Sequence, residues 1–187
     1  MSLQNHKERA LDAIDYFADV AARIFNVKEI IRPKRYFLVG LLLLGLYLYQ
    51  YLAGLEWPRL QAWQADDVYK QVSGYGLLLI VLYQWRLSHV RNFTNQSIVS
   101  ALLKNHKWVG AILPLPFFFH AMQPGYAYLF VLATIFLLNI FVALFNTETV
   151  KIRCRVCLFT WTLIHIVLAL LTLLLVAYHV YIIYAYS

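Results

Sequence analysis

Four of the six histidines in this 187-residue chain fall into one repeated pattern. His106 and His120 lie fourteen positions apart on one apolar segment, and His165 and His179 lie fourteen apart on another. Fourteen residues of α-helix cover about 21 Å and fall about 40° short of four turns. Each pair therefore presents nearly one face, with a member toward each side of a bilayer whose apolar core is about 30 Å thick. Two such helices side by side offer two stacked bis-histidine sites, the ligand geometry for two b-type haems spanning a membrane. The inner haem would be held by His106 and His165, the outer by His120 and His179.

The competing reading makes each histidine a core residue satisfied by a hydrogen bond between helices. Ionisable groups inside apolar spans are costly and usually functional, and equal spacing in two segments favours ligation. Zinc or copper fits less well, because such sites normally take three or four protein ligands. No Asp or Glu lies in either histidine segment to complete them. Haem brings four nitrogens of its own, so two axial histidines suffice. Gly110, one turn after His106, would let a macrocycle approach the backbone. Lys104, Lys107 and Arg155 are placed to meet the propionates of the inner haem, although a positive-inside bias alone would also put them there.

These histidines need apolar helices to carry them, and the composition supplies such helices. The chain is 62% hydrophobic, 17% aromatic and 13% charged, against about 25% charged in ordinary soluble domains. The expected fold is an all-α integral membrane bundle. Its five apolar segments run about Tyr36–Leu55, Gly74–Trp85 (reaching back through Val68), Leu102–Met122, Tyr126–Phe145 and Val156–Tyr186. The third and fifth are separated by one span and so run parallel, which sets His106 level with His165. Pro114 and Pro116 interrupt the third and predict a kink.

Of the sixteen Lys and Arg, fourteen fall in the N-terminal segment, the second loop and the loop before the fifth span, and only Arg59 and Lys70 lie opposite. The positive-inside rule then puts the N-terminus in the cytoplasm and the C-terminus outside. The expected location is the cell inner membrane. The net charge of +7 flanks apolar runs instead of forming a nucleic-acid patch, so no nucleic acid is expected. Tyr47, Tyr49, Tyr51, Trp57, Trp63, Tyr126, Tyr128, Tyr178, Tyr181, Tyr184 and Tyr186 fall at the outer ends of spans, where an interfacial belt is expected. Residues 1–35 form a separate cytoplasmic segment. Within it Leu11, Ile14, Phe17, Ala18, Ala21 and Phe25 recur at helical spacing, an amphipathic helix suited to packing on a partner subunit. Residues 36–187 form the membrane domain.

The run His106-Lys107-Trp108-Val109-Gly110, with an apolar stretch to His120-Ala121, resembles the first haem helix of the ferric reductase-like transmembrane family. His165 and His179 resemble its second. The spacing is also similar to that in the cytochrome b of quinol–cytochrome c oxidoreductases. The resemblance covers roughly residues 100 to 185. It implies a cytochrome with two non-covalent b-type haems that conducts electrons across the membrane, fed in that family by a flavin domain on the cytoplasmic side. The chain departs from the family in having five spans where six are common. Seven glycines and no G-x-G-x-x-G leave no dinucleotide site, so the donor would be a separate redox protein or flavin reductase, or a quinol.

Cys154-Arg155-Val156-Cys157 is a C-x-x-C motif at the start of the fifth span. Two thiols do not complete a zinc or iron–sulfur site, and interfacial thiols kept reduced in the cytoplasm are the simpler reading. The expected function is therefore transmembrane electron transfer, as the membrane subunit of a hetero-oligomeric redox complex. A quinol-oxidising anchor of a dehydrogenase and a haem-free structural or assembly subunit remain as alternatives.

Overall fold

The computed structural model describes residues 34–90, 95–150 and 154–186. Among them there are seven helices and no strand. They are α1 (Arg35–Leu52), α2 (Pro58–Ala65), α3 (Asp67–Val90), α4 (Gln96–Ile112), α5 (Pro114–His120), α6 (Tyr128–Leu144) and α7 (Arg155–Ala185). The described part of the chain is thus all-α. The amphipathic pattern at Glu8–Phe25 lies outside the described residues.

Each apolar segment of the sequence becomes helix, with informative differences at the boundaries. The first stops at Leu52 rather than Leu55, because Gly54 adopts φ +62° and the chain turns there. The second extends in both directions to 24 residues, well beyond its apolar stretch. The third divides at Leu113. Pro114 and Pro116 have no N–H to donate, yet Leu113 keeps a helical backbone, donates to Val109 O at 3.1 Å and accepts from Phe117 at 3.2 Å. The path therefore bends between α4 and α5 without turning back. The short α2, absent from the sequence-based expectation, begins on Pro58, whose fixed φ suits the first helical turn.

Two helices, α1 and α7, are long and apolar enough to cross a membrane, and α6 is apolar but only 17 residues long. α7, at 31 residues, extends about 46 Å.

The packing centres on one crossing. A Cβ added to Gly40 of α1 would lie 2.5 Å from a methyl of Leu144 in α6 and 3.2 Å from the backbone of Ala111 in α4. Three helices thus meet where only a hydrogen atom fits. Tyr36, Phe37, Ala111 and Leu144 are buried there, with Trp108 and Phe145 against them. Farther along α1, a second cluster gathers Tyr47, Leu113, Phe117, Ala133, Phe136 and Ile140. Tyr47 is therefore a core residue at 3% exposure rather than part of an interfacial belt. Its ring packs on Phe117 while its hydroxyl donates to Ala121 O at 3.3 Å. Tyr49, Trp57, Trp63, Tyr126, Tyr181, Tyr184 and Tyr186 are exposed, as a belt requires. α7 packs along α6 and has little backbone contact with any other helix.

The turn from α6 to α7 is built from its own polar groups. Thr149 Oγ1 donates to Leu144 O and Asn146 O at 2.7 and 2.9 Å, and the Asn146 amide donates to Ala143 O. These bonds satisfy carbonyls left open at the end of α6. Glu148 in this turn pairs with Lys107 of α4 at 2.7 Å. The lysine, donating to the carboxylate, holds it below the ordinary carboxylate range.

Two expectations follow. Gly40→Val should destabilise the fold by about 1–3 kcal/mol through overpacking, read as a lowered unfolding midpoint in detergent, whereas Gly45→Ala, with open space around it, should change little. The ion pair's contribution is present above the ordinary carboxylate pKa and is lost as pH falls through the depressed one. Glu148→Gln should therefore be less stable than the parent at neutral pH by no more than about 1 kcal/mol, since the carboxylate is half exposed. The gap should close in acid, and pH-dependent melting of both proteins measures it.

Candidate functional site

The histidines come from α4, α5 and α7, and the two ends of the site are held differently. At one end His106 and His165 face each other across the gap between α4 and α7. Their ring centroids lie 6.2 Å apart with planes at 83°. Both Nδ1 atoms are buried without a hydrogen-bond partner. Buried polar nitrogens left unpaired are costly, and no hydrogen bond between helices satisfies either of these.

Neighbouring side chains set the two rings. Trp161, one turn before His165, stacks on it with centroids 6.0 Å apart and planes at 11°. The same indole donates to Val142 O of α6 at 2.9 Å, so the ring that backs His165 is itself fixed. On the opposite side, Gln84 of α3 donates to the backbone carbonyl of His106 at 3.0 Å. Gly110 makes room for this amide, since a Cβ there would lie 3.2 Å from Gln84 Nε2. The missing side chain of Gly110 thus opens toward α3 and Gln84.

The three cations expected near the inner pair also separate. Lys107 turns away to Glu148 and sits 6.0 Å above the Tyr36 ring. The favourable pairing with a carboxylate, one helical step round from His106, directs it to α1 and the α6–α7 turn. Lys104 and Arg155 are exposed.

At the other end His120 closes α5. Its Nδ1 lies 3.0 Å from Ser73 Oγ in α3. Ser73 has one hydroxyl hydrogen, and it is directed to Tyr69 O at 2.7 Å. With that hydrogen on Tyr69 O, the serine oxygen is free to accept from His120, a pairing that would carry the proton on Nδ1 and leave Nε2 open. Gly74 completes the seat: a Cβ there would lie 3.0 Å from His120 Cε1. His179 Nδ1 lies 3.4 Å from the hydroxyl of Tyr128, at the start of α6.

The end of α5 is clamped, and this clamp fixes His120. Gln64 of α2 donates to Phe118 O and Phe119 O at 3.0 and 2.9 Å, and accepts from Met122 N–H at 3.3 Å. Tyr69 donates to Phe119 O at 3.0 Å, and Gln50 to Met122 O at 2.7 Å. A helix end leaves its last carbonyls unpaired, and here side chains of α1, α2 and α3 take them up.

Ser73, Gly74, Gln84, Tyr128 and Trp161 thus all act on the histidines, and the sequence reading had singled out none of them for that role. The small pair Ser73-Gly74 at the edge of an apolar run was one visible signal. Trp161, four residues before His165, was the other.

Two imidazoles sharing one metal through bonds of about 2 Å, with each ring centre about 1 Å farther out, sit with centroids about 6 Å apart. The inner pair meets that spacing. Among the described residues no three His, Cys, Asp or Glu gather into a metal-holding cluster, so a metal held here would need most of its ligands from a cofactor. Haem is such a cofactor, since it brings four nitrogens of its own and asks the protein for two. No protein family, curated protein or solved structure matches the chain.

Ser73→Ala should release the His120 tautomer. In the haem-free protein, histidine ¹⁵N spectra should show Nδ1–H for His120 in the parent and a mixture in the variant. An unchanged spectrum would show that Ser73 does not set the proton.

Proposed function

We propose that this chain is a five-span membrane protein that binds two b-type haems and passes electrons between the two sides of the bilayer. One observation carries the reading: His106 and His165, from separate apolar helices, face each other at 6.2 Å with both Nδ1 atoms buried and unpartnered. The equal fourteen-residue steps to His120 and His179 support a second pair about 21 Å farther on.

The membrane reading draws on what the helices expose. α7 leaves Phe159, Leu163, Ile166, Leu170 and Leu174 open, and buries only Thr172. α3 buries no residue completely. Soluble proteins rarely leave apolar surface on this scale uncovered, whereas lipid covers it at no cost. In this reading α1, α3, α4 continued by α5, α6 and α7 each cross. The Lys and Arg distribution puts the Lys107–Glu148 end in the cytoplasm and the C-terminus outside, in a cell inner membrane.

Bound haem supplies one-electron redox chemistry through its iron. The protein's part is to hold and orient. His106 with His165 would hold one haem, and His120 with His179 the other. Trp161 fixes the ring of His165, and Ser73 orients His120 through Nδ1, the usual support for a ligating imidazole. Lys104 and Arg155 remain for the inner propionates. The apolar walls of α3 and α7 suit porphyrin faces. The donor would be a redox protein or flavin reductase on the cytoplasmic side, within a larger complex, and a lipid-borne quinone is the alternative donor. The resemblance to ferric reductase-like membrane domains points the same way.

A visible spectrum of the purified protein, oxidised and dithionite-reduced, tests the proposal. The expected result is a b-type spectrum with two haems per chain, falling to one in His106→Ala or His165→Ala, and to one in His120→Ala or His179→Ala. A colourless protein after expression with ample haem would overturn it and leave a structural membrane subunit.

A further inference from the structure

Cys154 and Cys157 take no part in the histidine sites. Both are free and exposed at the start of α7. Cys154 is the N-cap residue, with extended backbone at φ −81° and ψ 120°, and its Sγ accepts the Cys157 N–H at 3.3 Å. That bond folds the first sulfur back over the first helical turn, toward the side chain three residues on. Cys157 also lines a groove of about 540 Å³ between α6 and α7, beside Phe141, Thr160 and Trp161, so the sulfur can be approached from outside. The Cys157 thiol and nearby backbone amides, donating to the Cys154 sulfur, hold its thiol below the ordinary cysteine value.

We propose that Cys154 and Cys157 form a redox-active dithiol that exchanges with accessible disulfides, Cys154 attacking and Cys157 resolving. The Cys154 thiolate attacks one sulfur of a disulfide. A mixed disulfide forms, and the other sulfur leaves as a thiolate that takes a proton from water. Cys157 then loses its proton to water and attacks Cys154 Sγ. The Cys154–Cys157 disulfide forms and the second thiol leaves. Two electrons pass from the dithiol to the disulfide, and the reverse sequence returns them. The N-cap contact favours the first step, since the thiolate is the nucleophile and a helix N-terminus stabilises it. The three-residue spacing favours the second, because the resolving sulfur is already within reach.

The test uses the full chain in detergent, equilibrated with mixtures of reduced and oxidised glutathione, acid-quenched and alkylated. The expected result is an intramolecular disulfide in oxidising mixtures that reduced glutathione reverses. Cys157→Ser should stop at one glutathione on Cys154, and Cys154→Ser should react about tenfold more slowly. Both variants should elute like the parent in size exclusion. A parallel arm offers a protein disulfide, and the faster arm identifies a small or a protein partner. Equal rates for the two single variants, or disulfides formed only between chains, would overturn the proposal. Neither readout depends on haem, so it stands or falls separately from the electron-transfer reading.

Discussion

The whole arrangement depends on the crossing at Gly40. There α1 meets α4 and α6 at a distance that excludes even a methyl group. Close backbone approach and dispersion contacts hold the three helices together there. The crossing fixes α4 relative to α6. α7 then runs along α6, tied by Trp161 to Val142 O, and its His165 arrives opposite His106. The 6.2 Å between those rings is thus set by a glycine on a third helix.

A second constraint is the supply of hydrogen-bond partners where water is scarce. Backbone groups freed by prolines and helix ends need side-chain partners in an apolar environment. Around α5, Gln50, Gln64, Tyr47 and Tyr69 supply them. Around the α6–α7 turn, Asn146 and Thr149 do the same. Each of these polar residues secures the end of a helix that carries or adjoins a histidine. The outer histidines gain Ser73 and Tyr128 as Nδ1 neighbours, while the inner ones keep bare Nδ1 atoms and rely on the stacking of Trp161. One fourteen-residue repeat therefore ends in two different environments.

The sequence by itself determined the helical segments and their order, because the long apolar runs and the prolines, glycines and charged loops between them set where helices can begin and end. It also singled out the four histidines, because equal spacing on a helix places side chains on one face whatever the neighbours are. It could not show that Tyr47 leaves the aromatic belt for the core, that Lys107 answers Glu148, or that Gly110 makes room for Gln84. Nor could it show that Ser73 meets Nδ1 of His120. Those outcomes rest on which helices touch and at what angle. Contacts between residues 47 and 121, 107 and 148, or 73 and 120 are far apart along the chain. Local periodicity does not report them; only the close packing of the tertiary structure brings such partners to within bonding distance.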